Sequence, residues 1–185
     1  MSIKHIAKLT LIAASLVCIG AQAAPPKPAV QAVAPLGFPI GGDCADIREK
    51  FTGSATGSVS FEAFEAGEPD AWYSGATKIA ATCNQDNELI MLEITASKGG
   101  MGNQATREAY ATLSKRYKRV AGAPMPQLGN GYARFVSGNA VIEQVAQHLS
   151  FEFTINYYTK QFYDNLIAFN KKFKALNKQI KESAL

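Results

Sequence analysis

Four carboxylates fall within nine residues, in the stretch FEAFEAGEPDAWY. They are Glu62, Glu65, Glu68 and Asp70. A pair of carboxylates can supply the acid and the base of glycoside cleavage. One hypothesis is therefore an enzyme that hydrolyses cell-envelope glycans with these carboxylates. The sequence favours the alternative, an acidic loop in contact with water.

The same stretch ends in two aromatic residues, Trp72 and Tyr73, and Trp72 is the only tryptophan of the chain. Exposed aromatic side chains beside the acids Glu65 and Glu68 would suit a protein-binding patch. The alternative is a buried Trp72 that anchors the loop to the core. The composition of the stretch is compatible with both.

The sequence lacks the usual arrangements for nucleophilic or metal-assisted catalysis. His148 is the single histidine beyond the first 23 residues, and no G-x-S-x-G motif accompanies it. One histidine cannot complete an ordinary zinc site if the two cysteines are paired. We therefore predict no catalytic residue, no metal and no cofactor, and we interpret His148 as structural or exposed.

A glycine-rich loop, SKGGMGNQATREAY over 97–110, contains a G-x-G-x-x-A spacing that starts at Gly100. A dinucleotide site would also need an acidic residue about 20 residues further on. No acid lies between Glu108 and Glu143. We therefore predict that the glycines only turn the chain and that Asn103 caps the following helix.

The first 23 residues, MSIKHIAKLTLIAASLVCIGAQA, combine a basic start, an apolar centre and a small-x-small ending. This pattern predicts a secretory signal peptide over 1–23, cleaved after Ala23. Cys18 offers the alternative of a lipid-modified cysteine, but the bulky Val17 before it is unfavourable for lipoprotein processing. We expect a periplasmic or secreted protein.

Cleavage would leave two cysteines, Cys44 and Cys83. In an exported chain such a pair predicts a disulfide. Closing a loop of about 40 residues would stabilise the fold by roughly 4 kcal/mol. Cys44, Ile47 and Phe51 recur at helical spacing after Asp43, a good N-cap residue. The disulfide is therefore expected to join the first helix to a strand of the core.

Apolar residues recur at helical spacing in three places and alternate in the segments between them. A Pro/Ala-rich lead-in over 24–34 precedes them, so we expect one domain over 35–185. The second helix is predicted from Gln104 to Val120, and the third over 160–182. The order α-βββ-α-βββ-α predicts an α+β fold with a single antiparallel sheet of about six strands and helices packed on one face.

The third helix has a continuous apolar stripe at steps of three and four residues. The stripe consists of Phe162, Leu166, Phe169, Phe173, Leu176 and Ile180. Lysines crowd its second half, among them Lys171, Lys172, Lys174 and Lys178. The sequence favours docking of the stripe on the sheet of the same chain. A homodimer contact and a peripheral contact with an anionic membrane surface are the alternatives.

The stretch PLGFPIG over 35–41, followed by a short helix, strands and a long helix, resembles the entry of small exported bacterial domains. The layout of a helix plus antiparallel strands, loosely repeated, is also similar to the β-lactamase-inhibitor-protein-like fold. The long basic C-terminal helix departs from that layout. The resemblance therefore implies a fold and transfers no functional residue.

These observations predict an exported, non-enzymatic binding domain that acts through contact with another envelope or secreted protein. An inhibitor, an immunity protein or an accessory factor would work in this way. The formal charge of +4 falls to +2 when the two lysines of the signal peptide are lost, which gives no footprint for nucleic-acid binding. The glycan hydrolase and an envelope-surface binder acting through the basic helix are the alternatives.

Overall fold

A computed structural model describes residues 32–53, 56–57, 60–100 and 102–183, and the side chains within these ranges except at 56–57 and 178–183. The predicted signal peptide, Cys18 and most of the lead-in lie outside the described residues. The described chain contains eight strands: β1 Thr56–Gly57, β2 Phe61–Glu65, β3 Ala76–Asn84, β4 Leu89–Ser97, β5 Lys118–Gly122, β6 Gly131–Ser137, β7 Ala140–Ala146 and β8 Glu152–Thr159. It contains four α-helices and one 3-10 turn: Pro35–Gly37, α1 Ala45–Lys50, α2 Pro69–Trp72, α3 Gln104–Arg116 and α4 Lys160–Ser183.

The strands form one antiparallel sheet in the order β1-β2-β3-β4-β8-β7-β6-β5. The predicted α+β class with a single antiparallel sheet is therefore confirmed. The strand number is higher than the predicted six, because the two-residue β1 and the edge strand β5 escape the sequence pattern. The short α2, between β2 and β3, also interrupts the predicted run of three strands.

The sheet is built from two similar halves. In each half a helix precedes four consecutive strands, α1 before β1 to β4 and α3 before β5 to β8. The halves join where β4 pairs with β8, with Ile94 opposite Ile155. Because β4 and β8 are antiparallel, the two halves are related by a twofold axis perpendicular to the sheet. A rotation about that axis does not exchange the two faces of the sheet. The helices α1 and α3 therefore lie on the same face, which we call the core face.

The first helix and the disulfide form as predicted. Cys44 and Cys83 are bonded, with their Cα atoms 6.3 Å apart, and both are fully buried. The Asp43 carboxylate accepts the backbone N–H of Ala45 at 2.8 Å from one residue before the N-cap, which is Cys44 rather than the predicted Asp43. Ile47 and Phe51 are buried against the sheet. A buried disulfide of this kind is typical of proteins that fold outside the reducing cytosol.

The second helix is shorter than predicted. It ends at Arg116, and Tyr117 is already extended at φ −129° and ψ 150°. Lys118–Gly122 then pairs with β6 as the strand β5. Pairing with the open edge of the sheet gives the backbone N–H and C=O groups of this segment more hydrogen-bond partners than one further helical turn would give them. Val120 is consequently 45 % exposed, and it lies on a strand instead of ending the predicted helix.

The last helix departs from the prediction that all helices share one face. Along β8, Phe153, Ile155 and Tyr157 point into the core below α1 and α3. Tyr158 points the other way, because successive strand residues face opposite sides, and it packs on Tyr163 of α4. The sheet is therefore covered on both faces, and α4 covers part of the second face.

Candidate functional site: the C-terminal helix

The start of α4 is fixed to the end of the sheet. The Thr159 hydroxyl accepts the backbone N–H of Phe162 at 3.3 Å, as a cap of the first turn. The backbone N–H of Lys160 donates to the carbonyl of Asn139, between β6 and β7, at 2.8 Å. Lys160 also pairs with Asp164 one turn later. The direction in which α4 leaves β8 is therefore set by hydrogen bonds.

The first two turns of α4 pack on the second face of the sheet. Phe162, Tyr163 and Leu166 contact an apolar cluster that includes Val141 and Tyr158. The rings of Tyr158 and Tyr163 are 5.5 Å apart between centroids. Aromatic pairs at such distances add to the stabilisation from burial alone. This segment, 160–166, is the anchored part of the helix.

A polar cluster locks the anchored part in place. The Tyr163 hydroxyl donates to the Glu143 carboxylate at 2.8 Å and accepts from the Arg134 guanidinium at 2.7 Å. Tyr132 donates to the same Glu143 oxygen. Burial, together with the bond to Glu143, raises the pKa of the Tyr163 hydroxyl, and Arg134 opposes that rise. Burial and the bond to Glu143 also raise the pKa of Tyr132, so both tyrosines remain protonated donors at neutral pH.

Between Leu166 and Asn177 the apolar residues of α4 face solvent, and the side chain of Ile180 lies outside the described residues. Phe169, Phe173 and Leu176 are 64 %, 53 % and 52 % exposed. The rings of Phe169 and Phe173 stack on each other, with centroids 6.2 Å apart. The prediction that the whole stripe docks on the chain's own sheet is therefore wrong past the second turn. We call Phe169, Phe173 and Leu176 the docking stripe.

Three of the predicted lysines, Lys171, Lys172 and Lys174, are exposed on the same segment. The side chain of Lys178 lies outside the described residues. Between Asp164 and Asn177 the helix carries these three cations and no acid. The docking stripe therefore lies on a helix segment whose charged side chains are all positive.

The structure separates the carboxylates of Glu62 and Glu65. Glu62 and Glu65 are three residues apart on β2 and so face opposite sides of the sheet. Glu62 pairs with Arg48 at 2.8 Å, and Glu65 pairs with Lys78 at 3.2 Å. Glu68 is exposed just before α2. Glu62 and Glu65 therefore do not form the paired carboxylates that glycoside cleavage needs, and the Asp70 carboxylate accepts the backbone N–H of Gly75.

The two aromatic residues of that segment are half-buried rather than prominent on the surface. Trp72 packs on Phe38 and Phe51, with ring centroids 5.5 Å and 5.7 Å away. Tyr73 also packs against the core, and burial raises the pKa of its hydroxyl. These contacts fit the alternative interpretation of Trp72 as an anchor. Part of each side chain stays accessible to solvent.

The glycine-rich loop turns the chain as predicted, with Gly99 and Gly100 at φ 74° and 152°. The capping role predicted for Asn103 is wrong. Its buried amide donates instead to the carbonyls of Pro126 and Gly129, both at 3.1 Å, and so holds the loop before β6. An amide that bridges two carbonyls is more completely satisfied there than at an exposed helix end.

His148 is exposed, and its backbone N–H donates to Asn130. Within the described ranges, no group of three or more histidine, cysteine, aspartate or glutamate side chains could hold a metal ion. No helix of the described part is both long enough and apolar enough to cross a bilayer.

Comparisons with protein-family models, with curated proteins and with solved structures give no match to this chain. The resemblance to exported bacterial domains therefore stays a prediction. Sequence reasoning also missed the cluster around Glu143. Its only signal was that Tyr132, Arg134 and Glu143 occupy alternate positions of two strands, all on the face turned away from the core.

Proposed function

We propose that this chain is an exported, non-enzymatic binding domain that docks on another envelope or secreted protein through α4. Inhibitors, immunity proteins and accessory factors act in this way. The observation that carries the proposal is the docking stripe. It places three large apolar side chains in solvent on a helix that hydrogen bonds and packing fix at its other end.

The spacing of the docking stripe suits insertion of a helix into a groove. Phe169, Phe173 and Leu176 occupy positions i, i+4 and i+7, which lie along one side of a helix and serve as anchors in helix-in-groove recognition. Buried aromatic anchors also dominate the binding energy of many interfaces. The partner would therefore offer an apolar groove about two helical turns long.

Charge favours a partner with an acidic rim. Lys172 flanks the docking stripe, Lys171 and Lys174 lie on the far side of the same turns, and no acid of the segment between Asp164 and Asn177 offsets them. A second copy of the chain would bring two such lysine-rich segments together, at a cost in like-charge repulsion. Carboxylates around a groove would instead attract the helix and speed its association.

Export of the chain would place its partner among envelope or secreted proteins. The buried disulfide between Cys44 and Cys83 fits an oxidising compartment, and the sequence predicts a signal peptide over 1–23. We therefore place the mature chain in the periplasm or outside the cell, and we expect its partner in the same compartment.

The experiment uses the mature chain as bait in envelope extract from the producing organism. The variant Phe169→Asp/Phe173→Asp places two charges in the docking stripe. Its matched control, Ala168→Asp/Ala175→Asp, places the same charges at exposed positions of α4 that lie outside the docking stripe. We expect the wild type and the control to retain one stoichiometric protein, more weakly at high salt, and the stripe variant to lose it.

Three results would overturn the proposal. The first is equal capture by the stripe variant and its control. The second is stripe-dependent binding to anionic vesicles with no protein retained, which would make α4 a membrane-surface helix. The third is dimerisation of the wild type, abolished by Phe169→Asp/Phe173→Asp in sedimentation analysis, which would assign the docking stripe to a second copy.

A further inference from the structure

A cavity of about 650 Å³ lies between α3 and the core face of the sheet. Phe153 and Ile155 of β8 form part of its floor, and Leu113 of α3 forms part of its roof. Its size falls within the range of sites that bind small molecules. The cavity is separate from α4, which packs on the opposite face.

Small side chains on both walls leave this space open. Ala105, Ala109 and Thr112 line it from α3, and Ala96 lines it from β4. Protein interiors are otherwise closely packed, and an unfilled apolar space forfeits the contacts its walls would make. A helix that presents alanines to the sheet at this point therefore keeps room for an occupant.

The mouth of the cavity is open and polar. Gly75 and Gly99 line it at φ 80° and 74°, and no atom lies within 4 Å of the place where a Cβ would stand on either residue. Ser74 and Ser97 lie beside them. Hydroxyl groups at a rim can orient the polar end of a ligand whose body rests on apolar walls.

The charge at the mouth restricts the ligand. Glu108 is the one charged residue among the described residues that line the cavity. Burial and, secondly, the negative charge of Glu108 raise the pKa of Tyr73, which also lines it. A carboxylate or phosphate at the mouth would be repelled by Glu108. An ammonium group would instead be attracted by Glu108, and a neutral hydroxyl group would not be repelled.

A smaller cavity of about 170 Å³ extends the space along α3. The two cavities share the lining residues Tyr73, Thr112, Leu113 and Tyr157. The second one continues to the end of α3 at Arg116, a cation, so Glu108 sets the charge only at the opposite end, which is the end assigned to the polar group of the ligand. The combined space is therefore elongated along the helix and suits an extended ligand better than a compact one.

We infer that this cavity binds an amphipathic amine or alcohol, with its elongated apolar body between α3 and the sheet and its polar end near Glu108. The inference does not depend on α4. It adds a small-molecule site to the proposed protein-binding surface.

Calorimetric titration of the mature chain with decylamine, decanol and decanoate below their aggregation concentrations tests the ligand class. We expect saturable binding of one decylamine per chain, binding of decanol, and binding of decanoate at least tenfold weaker than that of decylamine. Glu108→Gln should reduce the difference in affinity between decylamine and decanoate, because it removes the negative charge. It should leave decanol binding unchanged.

A substitution that fills the cavity tests whether the ligand binds there. Ala109→Leu places a larger side chain in the roof, and Ala111→Leu makes the same change at an exposed position of α3 as the matched control. We expect Ala109→Leu to weaken decylamine binding at least tenfold while the circular dichroism spectrum is kept, and Ala111→Leu to bind as the wild type does. If Ala109→Leu fails to fold, Ala105→Leu serves the same purpose.

The inference would be overturned by the absence of saturable binding to the wild type, by decanoate binding as tightly as decylamine, or by unchanged binding to the folded cavity-filling variant. Phe169→Asp/Phe173→Asp should bind decylamine as the wild type does. Failure of this inference and failure of the α4 proposal are therefore seen in different measurements.

Discussion

At the scale of single residues, the contacts of Tyr163 explain how α4 is held. Its hydroxyl lies between the Glu143 carboxylate and the Arg134 guanidinium, and the guanidinium also covers its ring at 5.6 Å. Tyr110 makes a comparable bond, from the Arg119 guanidinium at 2.7 Å, but on the exposed surface. The two tyrosines therefore differ in burial and in the second bond, to Glu143, that the Tyr163 hydroxyl makes.

This difference gives a matched pair of substitutions. We expect Tyr163→Phe to lower the free energy of unfolding by about 1–2 kcal/mol, because it leaves partly buried charged groups with one partner fewer. Tyr110→Phe should change it by less than about 0.5 kcal/mol. Urea denaturation of both variants checks the prediction. Equal effects of the two substitutions would contradict the anchoring role assigned to Tyr163.

At the scale of elements, α4 has an anchored part and a part that extends from it. Its 24 residues span about 36 Å, whereas the contacts with the second face are made by Phe162, Tyr163 and Leu166. The docking stripe lies beyond them. The stability of the domain should therefore depend on the first part and its binding on the second.

Truncation separates these two parts. Removal of residues 171–185 should change the free energy of unfolding by less than about 1 kcal/mol, because the described contacts with the sheet are kept, and should abolish partner capture. Phe162→Ala, in the anchored part, should cost about 2 kcal/mol or more. Urea denaturation measures both. A loss above about 2 kcal/mol on truncation would show that the distal segment packs on the body of the domain.

At the scale of the whole molecule, local patterns account for much of the fold. Period-two alternation predicted the central strands, and helical spacing of Cys44, Ile47 and Phe51 predicted the buried face that carries the disulfide. Local patterns do not predict the structure of a segment whose conformation is set by tertiary contacts. The basic segment at Lys118 suits a helix end and a strand alike, and only the open edge of β6 selects the strand.

The candidate site shows the same limit. The sequence revealed the apolar stripe of α4 and its lysines, because their spacing is a local property of one helix. It could not reveal that the stripe leaves the sheet after Leu166, since that depends on where β8 ends and on the Tyr132–Glu143–Tyr163 contacts between distant segments. The cavity under α3 depends in the same way on small residues brought together from separate elements.

The most direct test of the central claim is photocrosslinking in intact cells from single positions of α4. A benzoylphenylalanine placed at Phe173, in the docking stripe, should give one adduct with one other envelope or secreted protein. The same residue placed at Ala175, exposed on α4 outside the docking stripe, should give none. Equal adducts from both positions, or none from Phe173, would contradict the claim that α4 is the partner-binding surface.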